Sequence, residues 1–396
     1  MAVLTGLDLL ENSRELQDSV HGKIAYVCHP ASVNRKLQLG VSILQRIFKD
    51  RFVKIFSPQH GFRGDVQANM IESQGFFDQY FKLKIISLYA ETRQPTPEML
   101  DDIDTIIFDL QDVGTRVYTY IHTLTLLMEA CQGRAIEVIV LDRPNPINGV
   151  TIEGNLLDPD LSSFVGRYPL PMRHGLTIGE VALYTQRFED ITCQLRVVPM
   201  QNWERALYFD QTKLPWVLPS PNVPSPDTAL VYPGMVIFEG TSFSEGRGTT
   251  RPFEIFGDPT LDPYASYPRI NKTLDLFKIK GVKLRPLYFL PTFDKYAGTP
   301  CGGYQIHITN RKIFKPWRLA QVLCRELRLI LGDNFAWLPP PYGYEHIKLP
   351  IDILNGSANL RNWVERNGSL AELDEIERHG ISHFLEKREE ILLYRE

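Results

Sequence analysis

The sequence predicts an α/β fold, in which a Rossmann-like parallel sheet domain is followed by a smaller α+β domain. Short apolar segments alternate with segments of helical spacing through the first half of the chain, as in βαβ units. Each apolar segment runs into a polar loop that contains Gly or Pro. The 396 residues also exceed what one ordinary core accommodates. We therefore place the Rossmann-like domain, with most of the active-site loops, at residues 1–228 and the second domain at 229–396.

The first domain is predicted from five strands and the helices between them. Its strand segments have the length and composition of strands buried in a parallel sheet, and they lie at residues 23–28, 52–56, 84–89, 105–110 and 137–141. Residues 41–48 and 119–131 have the spacing of helices. Open α/β sheets bind ligands beyond the carboxyl ends of their strands, so the loops after these strands are expected to converge on one site.

The second domain is predicted to mix strands and helices and to close a cleft over the first. Residues 214–227 contain five prolines and are expected to form an ordered crossover between the domains. Beyond them, residues 304–308 are predicted as a strand and residues 316–331 as a helix. Residues 370–394 are predicted as a last amphipathic helix that packs on the core.

Composition excludes several classes of protein. A net charge of −4 and a pI near 6.2 lack the basic footprint of a nucleic-acid binder. No apolar run approaches the ~20 residues that span a bilayer, and no signal peptide is recognised, so a cytoplasmic location is expected. The five cysteines form no CxxC pair, which favours reduced thiols over a zinc site or disulfides. The sequence leaves open whether the chain is a homo-oligomer.

Common catalytic and cofactor motifs are missing from the sequence. The turn after the first strand has no GxGxxG, and no GxxxxGK[ST] occurs, so nucleotide cofactors are not expected. No GxSxG or HExxH is present. Carboxylates do follow several predicted strands, namely Glu72, Glu91, Asp109, Asp112 and Asp142. Such a set suits glycoside cleavage, which uses a protonated carboxylic acid and usually a second carboxylate, without a metal or organic cofactor. The alternative for each is to cap a helix or to pair with Arg63, Arg93, Arg116 or Arg143.

Further polar residues are candidates for sugar binding. The segment after the fourth strand supplies Asp109, Gln111, Asp112, Arg116 and Tyr118, and the segment after the fifth supplies Asp142 and Asn145. His60, Arg173 and His174 lie in loops where a hydroxyl donor or acid/base group would be useful. In residues 239–250, glycines surround Glu239, Glu245 and Arg247, where backbone amides and the guanidinium could bind an anion. The alternative for that segment is a Gly-rich bend between domains.

Several segments together resemble one known family, the YbbC/NamZ-like exo-β-N-acetylmuramidases, formerly a domain-of-unknown-function family. The matching segments are residues 58–64, 87–96, 108–120, 141–146, 173–180, 219–222 and 239–249. The resemblance implies removal of N-acetylmuramic acid from the non-reducing end of peptidoglycan fragments, in a cleft between two domains. The family commonly has Glu where this chain has Gln59, and Ala-Gly-Glu where this chain reads 66–72. Glu72 is then the nearest replacement for that glutamate.

These arguments assign roles to the candidate residues. Glu72 or Asp112 is predicted as the acid, with Glu91 in reserve. His60, Gln111, Arg116 and Tyr118 are predicted to orient the sugar. Its lactyl carboxylate is predicted to bind an arginine, with Arg247 first and Arg63, Arg116 and Arg173 as further candidates. Two other functions stay open: a non-catalytic binder of cell-wall sugars, and a hydrolase or transferase of another carboxylated sugar.

Overall fold

The computed structural model describes residues 1–67 and 71–395. Within these ranges, a central sheet of seven strands has the order β3-β4-β2-β1-β5-β6-β9. A three-stranded sheet, β10-β12-β11, and the pair β7-β8 lie apart from it. The strands are β1 (Ile24–Cys28), β2 (Phe52–Ser57), β3 (Phe76–Asp78), β4 (Leu83–Ser87), β5 (Thr105–Asp109), β6 (Glu137–Leu141), β7 (Glu153–Leu156), β8 (Pro171–Arg173), β9 (Gln194–Val198), β10 (Ile255–Asp258), β11 (Val282–Phe289) and β12 (Cys301–Ile308).

The helices cover both faces of the central sheet and most of the second half. They are α1 (Gly6–Asn12), α2 (Arg14–Asp18), α3 (Gly40–Phe48), α4 (Pro97–Leu100), α5 (Tyr120–Ala130), α6 (Ile178–Phe188), α7 (Pro226–Met235), α8 (Pro263–Leu276), α9 (Pro316–Leu331), α10 (Pro350–Asn355), α11 (Ala358–Glu365), α12 (Leu370–Arg378) and α13 (Ile381–Glu389). Together with the central sheet they confirm the predicted α/β class.

The central sheet is parallel except at one edge. β1 pairs in parallel with β2 and β5, and β5 pairs in parallel with β6. Only the short β3 runs antiparallel in this sheet, against β4. All five residues of β1 and of β5 are buried, as expected for strands covered on both faces. The loops after β2 and β5 therefore leave the same edge of the sheet.

The second half packs helices on an antiparallel sheet. β12 lies between β10 and β11, and α7 packs on α9. Gly234 allows that helix contact, because a Cβ there would collide with the backbone carbonyl of Pro316 at the start of α9. One large core cluster includes side chains from both halves. The predicted division at 228/229 falls inside α7, and the two-domain division stays a prediction.

Some elements differ from the sequence prediction. The helix expected over 370–394 is two helices, α12 and α13, because Gly380 between them has φ +74°, which ends a right-handed helix. The strands β3, β7, β8, β9, β10 and β11 were not predicted. β9 is an edge strand with half-buried residues, so it lacks the continuous apolar run that marks the buried strands.

Candidate active site

A cavity, here called the central cavity, lies where the loops after β2 and β5 meet the second half of the chain. The loop after β2 contributes Gln59 and His60, and the segment leading into α5 contributes residues 117–120. The second half contributes Tyr232 of α7 and the segment that follows it. The full lining is Gln59, His60, Val117, Tyr118, Thr119, Tyr120, Val165, Ser220, Asn222, Tyr232, Glu239, Arg247, Phe253 and Tyr342.

Glu239 is the carboxylate that lines this cavity among the described residues. Its Oε1 accepts a hydrogen bond from Arg247 Nη2 at 2.6 Å, and its Oε2 accepts one from the Tyr342 hydroxyl. Glu239 is only 7% exposed. A charged donor and a neutral donor therefore fix both oxygens of one buried carboxylate at the cavity wall.

Arg247 is held between two carboxylates. Its Nη1 donates to Glu245 Oε1 at 2.6 Å, and Glu245 also accepts from Lys295 Nζ at 3.0 Å. Burial opposes the charge of Glu245, but Lys295 and Arg247 overcome it and lower the pKa of this carboxyl to about 2. Burial likewise opposes the charge of Arg247, yet Glu239 and Glu245 raise its pKa well above its usual value. The cluster is thus a chain of alternating charges, with Glu239 at the end that meets the cavity.

Three tyrosines form much of the cavity floor. The ring of Tyr118 packs edge-on against Tyr120 at 4.8 Å and against Tyr232 at 5.9 Å between centroids. Burial raises the pKa of all three hydroxyls, so they stay protonated and able to donate hydrogen bonds. The Tyr120 hydroxyl donates to the Pro219 carbonyl at 2.7 Å, which fixes the proline-rich segment beside Ser220 and Asn222. This floor presents phenolic donors between apolar ring faces, an arrangement suited to a sugar.

His60 faces the cavity as a neutral imidazole. Burial lowers the pKa of His60 to about 4, although its hydrogen bond to the Val66 carbonyl partly opposes that effect. The Nδ1 atom lies 2.8 Å from that carbonyl oxygen and must carry the proton, which leaves Nε2 unprotonated. His60 is therefore a hydrogen-bond acceptor for a hydroxyl near neutral pH. Beside it, Gln59 accepts a hydrogen bond from the Thr119 hydroxyl at 2.7 Å.

The structure brings His60, Tyr118, Glu239 and Arg247 together in the lining, with Glu245 directly behind them. Asp112 and His174 lie next to each other outside this lining. Asp112 Oδ2 accepts from the Gly114 amide at 2.7 Å and lies 3.6 Å from His174 Nε2. His174 Nδ1 accepts from the Leu176 amide, so a neutral His174 carries its proton on Nε2, facing Asp112.

Asp109 and Asp142 lie away from the cavity lining, each in a separate buried polar cluster. Asp109 binds Arg143 through both carboxylate oxygens and also accepts from Tyr26. Asp142 accepts from Thr177, from the Gly179 amide at the start of α6 and from Tyr394. Burial raises the pKa of Asp142 to about 7 against these donors. In this structure both carboxylates hold the fold together, and neither faces the proposed sugar site.

Gln111, Asn145, Arg116 and Arg173 also serve the backbone. The Gln111 amide donates to the carbonyls of Asp112 and Pro144. The Asn145 amide donates to the Leu176 carbonyl, and Arg173 donates to the Ile147 carbonyl. Arg116 is fully buried and donates to four carbonyls, those of Asn155, Leu170, Leu354 and Asn355. These hydrogen bonds stabilise the fold, so position at a strand end alone did not identify the residues that line the cavity.

Glu72, Glu91 and Arg63 lie at the surface. Glu72 Oε1 is 3.3 Å from Arg93 Nη2, and its side chain is 42% exposed. Glu91 lines a separate surface groove beside β4. Arg63 lies 3.6 Å from Asp78 and over the ring of Phe76. Met70, part of the segment that departs from the family pattern, lies outside the described residues.

Several lining residues escaped sequence analysis. Ser220 and Asn222 lie in the segment predicted as a crossover, and residues 219–222 also matched the family, but neither residue was predicted to be part of the site. Asn222 Nδ2 donates to the Gln67 carbonyl at 3.0 Å. Tyr232, Phe253 and Tyr342 carried no such signal, because each reads as an ordinary core aromatic.

The described residues contain no group of three or more His, Cys, Asp or Glu side chains placed to hold a metal ion. Over the same residues, no helix combines the length and apolar character needed to cross a bilayer.

Comparisons with known proteins give consistent matches over the chain. A family model described as exo-beta-N-acetylmuramidase NamZ, N-terminal, matches residues 24–227, and the corresponding C-terminal model matches residues 230–394. The chain is 38% identical over 393 residues to peptidoglycan beta-N-acetylmuramidase NamZ of Bacillus subtilis (strain 168), covering 99% of this chain and 91% of that protein.

Two crystal structures of DUF1343 family proteins from Bacteroides fragilis share the fold. One has a TM-score of 0.87 at 30% identity and covers 100% of this chain and 99% of its own. The other has a TM-score of 0.75 at 25% identity and covers 100% of both chains.

Proposed function

The chain belongs to the exo-β-N-acetylmuramidase NamZ family, and on this premise we propose that it releases N-acetylmuramic acid from the non-reducing end of peptidoglycan fragments. Membership confirms the resemblance that the sequence indicated and the prediction of a glycosidase. The substrate is thus a carbohydrate derived from the cell wall. A cytoplasmic location, with imported fragments as substrate, stays a prediction.

The observation that carries the proposal is the fixed carboxylate of Glu239 at the central cavity. Glycoside cleavage passes through a transition state in which the sugar ring carries positive charge. Preorganised negative charge near the ring stabilises that state without reorganisation during the reaction. Arg247 and Tyr342 hold Glu239 in one position, so its carboxylate supports this role. We assign Glu239 as the second carboxylate of the reaction.

The proton donor is proposed to be Glu72. The segment that carries it starts at His60 in the cavity lining, and its Gln67 carbonyl accepts from Asn222 of the same lining. Its other end meets Arg93, whose guanidinium stacks on Tyr344, two residues beyond Tyr342. Asp112 fits a supporting role better, because it lies outside the cavity lining and is held by the Gly114 amide beside His174.

The proposed binding roles depend on which side chains of the cavity already bind other groups of the protein. Arg247 donates one hydrogen bond to each of two carboxylates, Glu245 and Glu239, so we assign it to holding Glu239 in place and not to the lactyl group. The lactyl carboxylate is instead assigned to hydroxyl donors of the floor, Tyr118 and Tyr232, with Ser220 beside them. The unprotonated Nε2 of His60 is assigned to a sugar hydroxyl.

The cavity is narrow and its walls must separate for a sugar to bind. Its volume is about 40 Å³, whereas ligand pockets are commonly ~300 Å³ or larger. Because one wall comes from the first half and the opposite wall from residues 232–253 and Tyr342, a small relative movement of the walls would enlarge it.

The proposal is tested with Glu239→Gln and Glu72→Gln on a chromogenic β-N-acetylmuraminide. Both substitutions keep the side-chain shape and remove the charge. Each is expected to lower kcat by about 10²–10³-fold, the range for a group that stabilises the transition state. Glu15→Gln is the matched control, since Glu15 is an exposed glutamate of α2 that does not line the central cavity.

The outcomes separate the assignments. Wild-type kcat in folded Glu239→Gln removes Glu239 from the mechanism, and the same result for Glu72→Gln removes that proton donor. Equal hydrolysis of neutral N-acetylglucosaminides and of the muraminide by the wild type would contradict the proposed substrate. Tight binding of N-acetylmuramic acid without turnover of any glycoside would indicate a sugar-binding protein.

A further inference from the structure

A second cavity, here called the lateral cavity, lies away from the central cavity between β7 and the helices of the second half. Its volume is about 460 Å³. No residue is shared between the two linings. Four isoleucines form its apolar sides, and charged residues form the rest. The apolar part is Ile152, Ile279, Ile313 and Ile381, and the charged part is Glu153, Lys278, Lys280, Lys315, Arg318, Asp374, Glu377 and Arg378.

Glu153 is buried at this cavity with one oxygen unused. It is 1% exposed. Its Oε1 accepts from the Arg318 backbone amide at 3.0 Å, whereas Oε2 has no hydrogen-bond partner among the described residues. Burial, with a contribution from Glu377, raises the pKa of Glu153 to about 7. A buried carboxyl oxygen without a partner is costly, and a ligand donor would remove that cost.

Two lysines of the lining have no carboxylate partner among the described residues. Arg318 pairs with Asp374 at 2.6 Å and with Glu377, and Lys315 lies 3.3 Å from Glu377. Arg378 lies 3.6 Å from Asp374. Lys278 and Lys280 are exposed and make no ion pair within the described residues. The rim therefore carries positive charge that the lining does not neutralise, while the buried end offers an acceptor.

We propose that the lateral cavity binds a short peptide with free termini and an aliphatic side chain. Its ammonium would donate to Glu153 Oε2, its carboxylate would pair with Lys278 and Lys280, and its side chain would lie along the isoleucines. The three features lie on one lining, so one zwitterionic ligand with an apolar body satisfies all of them. The inference is independent of the proposed glycosidase reaction.

The simplest competing explanation is a water molecule at the buried end. Arg173, the strand partner of Glu153, also has buried guanidinium nitrogens without a partner in the described part of the chain. A water between Glu153 and Arg173 would satisfy both side chains. A bound water would not contact the two rim lysines, whereas a bound peptide would. The effect of replacing the lysines therefore distinguishes the two explanations.

The test is a ligand-observed NMR titration of the whole chain with the dipeptide alanyl-leucine. Its N-acetyl derivative removes the ammonium, and its C-terminal amide removes the carboxylate. The free dipeptide is expected to bind saturably, and each derivative about tenfold more weakly, which corresponds to one lost charged contact. Glu153→Gln should weaken the free dipeptide to the level of the N-acetyl derivative.

The exposed lysines keep the test interpretable if Glu153→Gln fails to fold. Lys278→Ala with Lys280→Ala should weaken the free dipeptide about tenfold and leave the binding of its C-terminal amide unchanged. Lys272→Ala with Lys283→Ala, exposed lysines outside the lining, is the matched control and should change nothing. The proposal is overturned if the free dipeptide shows no saturable binding, or if the Lys278/Lys280 variant binds it as the wild type does.

Discussion

At the residue scale, similar pairs of charged side chains serve different purposes in the two halves of the chain. Asp109 with Arg143, and Glu239 with Arg247, are both buried carboxylate–guanidinium pairs. The first is enclosed in the fold, while the second lies in the lining of the central cavity. Charge pairing alone therefore does not mark a catalytic group. The difference is whether an oxygen meets a space that a ligand can enter.

His60 gives a prediction about pH at this scale. Its pKa is lowered to about 4 by burial, so it is neutral over the range in which most glycosidases are assayed. We expect His60→Gln to lower kcat/KM while leaving the shape of the pH–rate profile unchanged between about pH 5 and 8. Steady-state rates across that range measure it. Loss of one limb of the profile in the variant would mean that His60 itself titrates in the reaction.

At the scale of the elements, the turn between β5 and α5 depends on one glycine. Gly114 has φ +77°, and a Cβ there would collide with the Asn145 side chain. That turn carries Asp112 on one side and Tyr118 and Tyr120 on the other. A crowded left-handed position is therefore needed to aim this segment at the cavity.

Comparing two glycines isolates that effect. Gly133 has a similar φ of +68° but nothing within 4 Å of its Cβ position. Gly133→Ala should destabilise by about 1–2 kcal/mol through the backbone alone. Gly114→Ala should cost about 1–3 kcal/mol more, because Asn145 must move. Urea unfolding of both variants measures the difference, and equal losses would show that Asn145 adapts freely.

The sequence predicted best the elements that are buried on both faces of the sheet. β1 and β5 are buried on both faces and were predicted within a residue of their bounds. β9 and β3 lie at sheet edges and lack that pattern. The position of α9 was also predicted correctly, since its amphipathic sequence begins at Pro316 and ends before Gly332. The break at Gly380 was missed because the apolar spacing continues on both sides of it.

At the scale of the whole molecule, Arg116 joins the two halves. Its guanidinium donates to Asn155 and Leu170 in the first half and to Leu354 and Asn355 in the second. Burial lowers the pKa of Arg116 to about 9, and four carbonyls replace a carboxylate as its partners. The cation thus links Asn155 and Leu170 of the first half to Leu354 and Asn355 at the end of α10.

Replacing this arginine should weaken the whole fold. Arg116→Met keeps apolar volume but leaves four buried carbonyls without their donor, so we expect a loss of at least about 3 kcal/mol. Arg366→Met removes an exposed pair with Glu372 and should cost less than about 1 kcal/mol. Chemical denaturation followed by circular dichroism compares them. A loss below about 1 kcal/mol for Arg116→Met would show that water or rearrangement replaces its contacts.

Two buried carboxyls predict how stability depends on pH. Folding raises the pKa of Glu153 from 4.5 to about 7 and that of Asp142 from 3.8 to about 7. Between these unfolded and folded pKa values, the folded state binds more protons than the unfolded state. The contribution of the two carboxyls to the unfolding free energy is therefore complete below about pH 4 and is lost as pH rises through about 7. Glu153→Gln should reduce the fall in unfolding free energy between about pH 5 and about pH 8. An unchanged slope would contradict the raised pKa.

Some residues of the central cavity could be predicted from the sequence and others could not. The loops after β2 and β5 were expected at one edge of the sheet, and they supply His60 and Tyr118 there. Tyr232 and Tyr342 come from the other half, and no rule of strand order says which aromatic of that half will face the edge. Glu239 was identified because glycines and charges surround it, although its bond to Tyr342 depends on three-dimensional packing.

The contact between Tyr394 and Asp142 affects how this protein can be divided for experiments. Tyr394 donates to Asp142 and accepts from the Met200 amide, and Arg388 donates to the Gly149 carbonyl. The end of the chain is thus built into the first half. A fragment of residues 1–228 would lack these donors, so dissecting the molecule would require a peptide of residues 381–395 supplied in trans, or a circular permutant that keeps it attached.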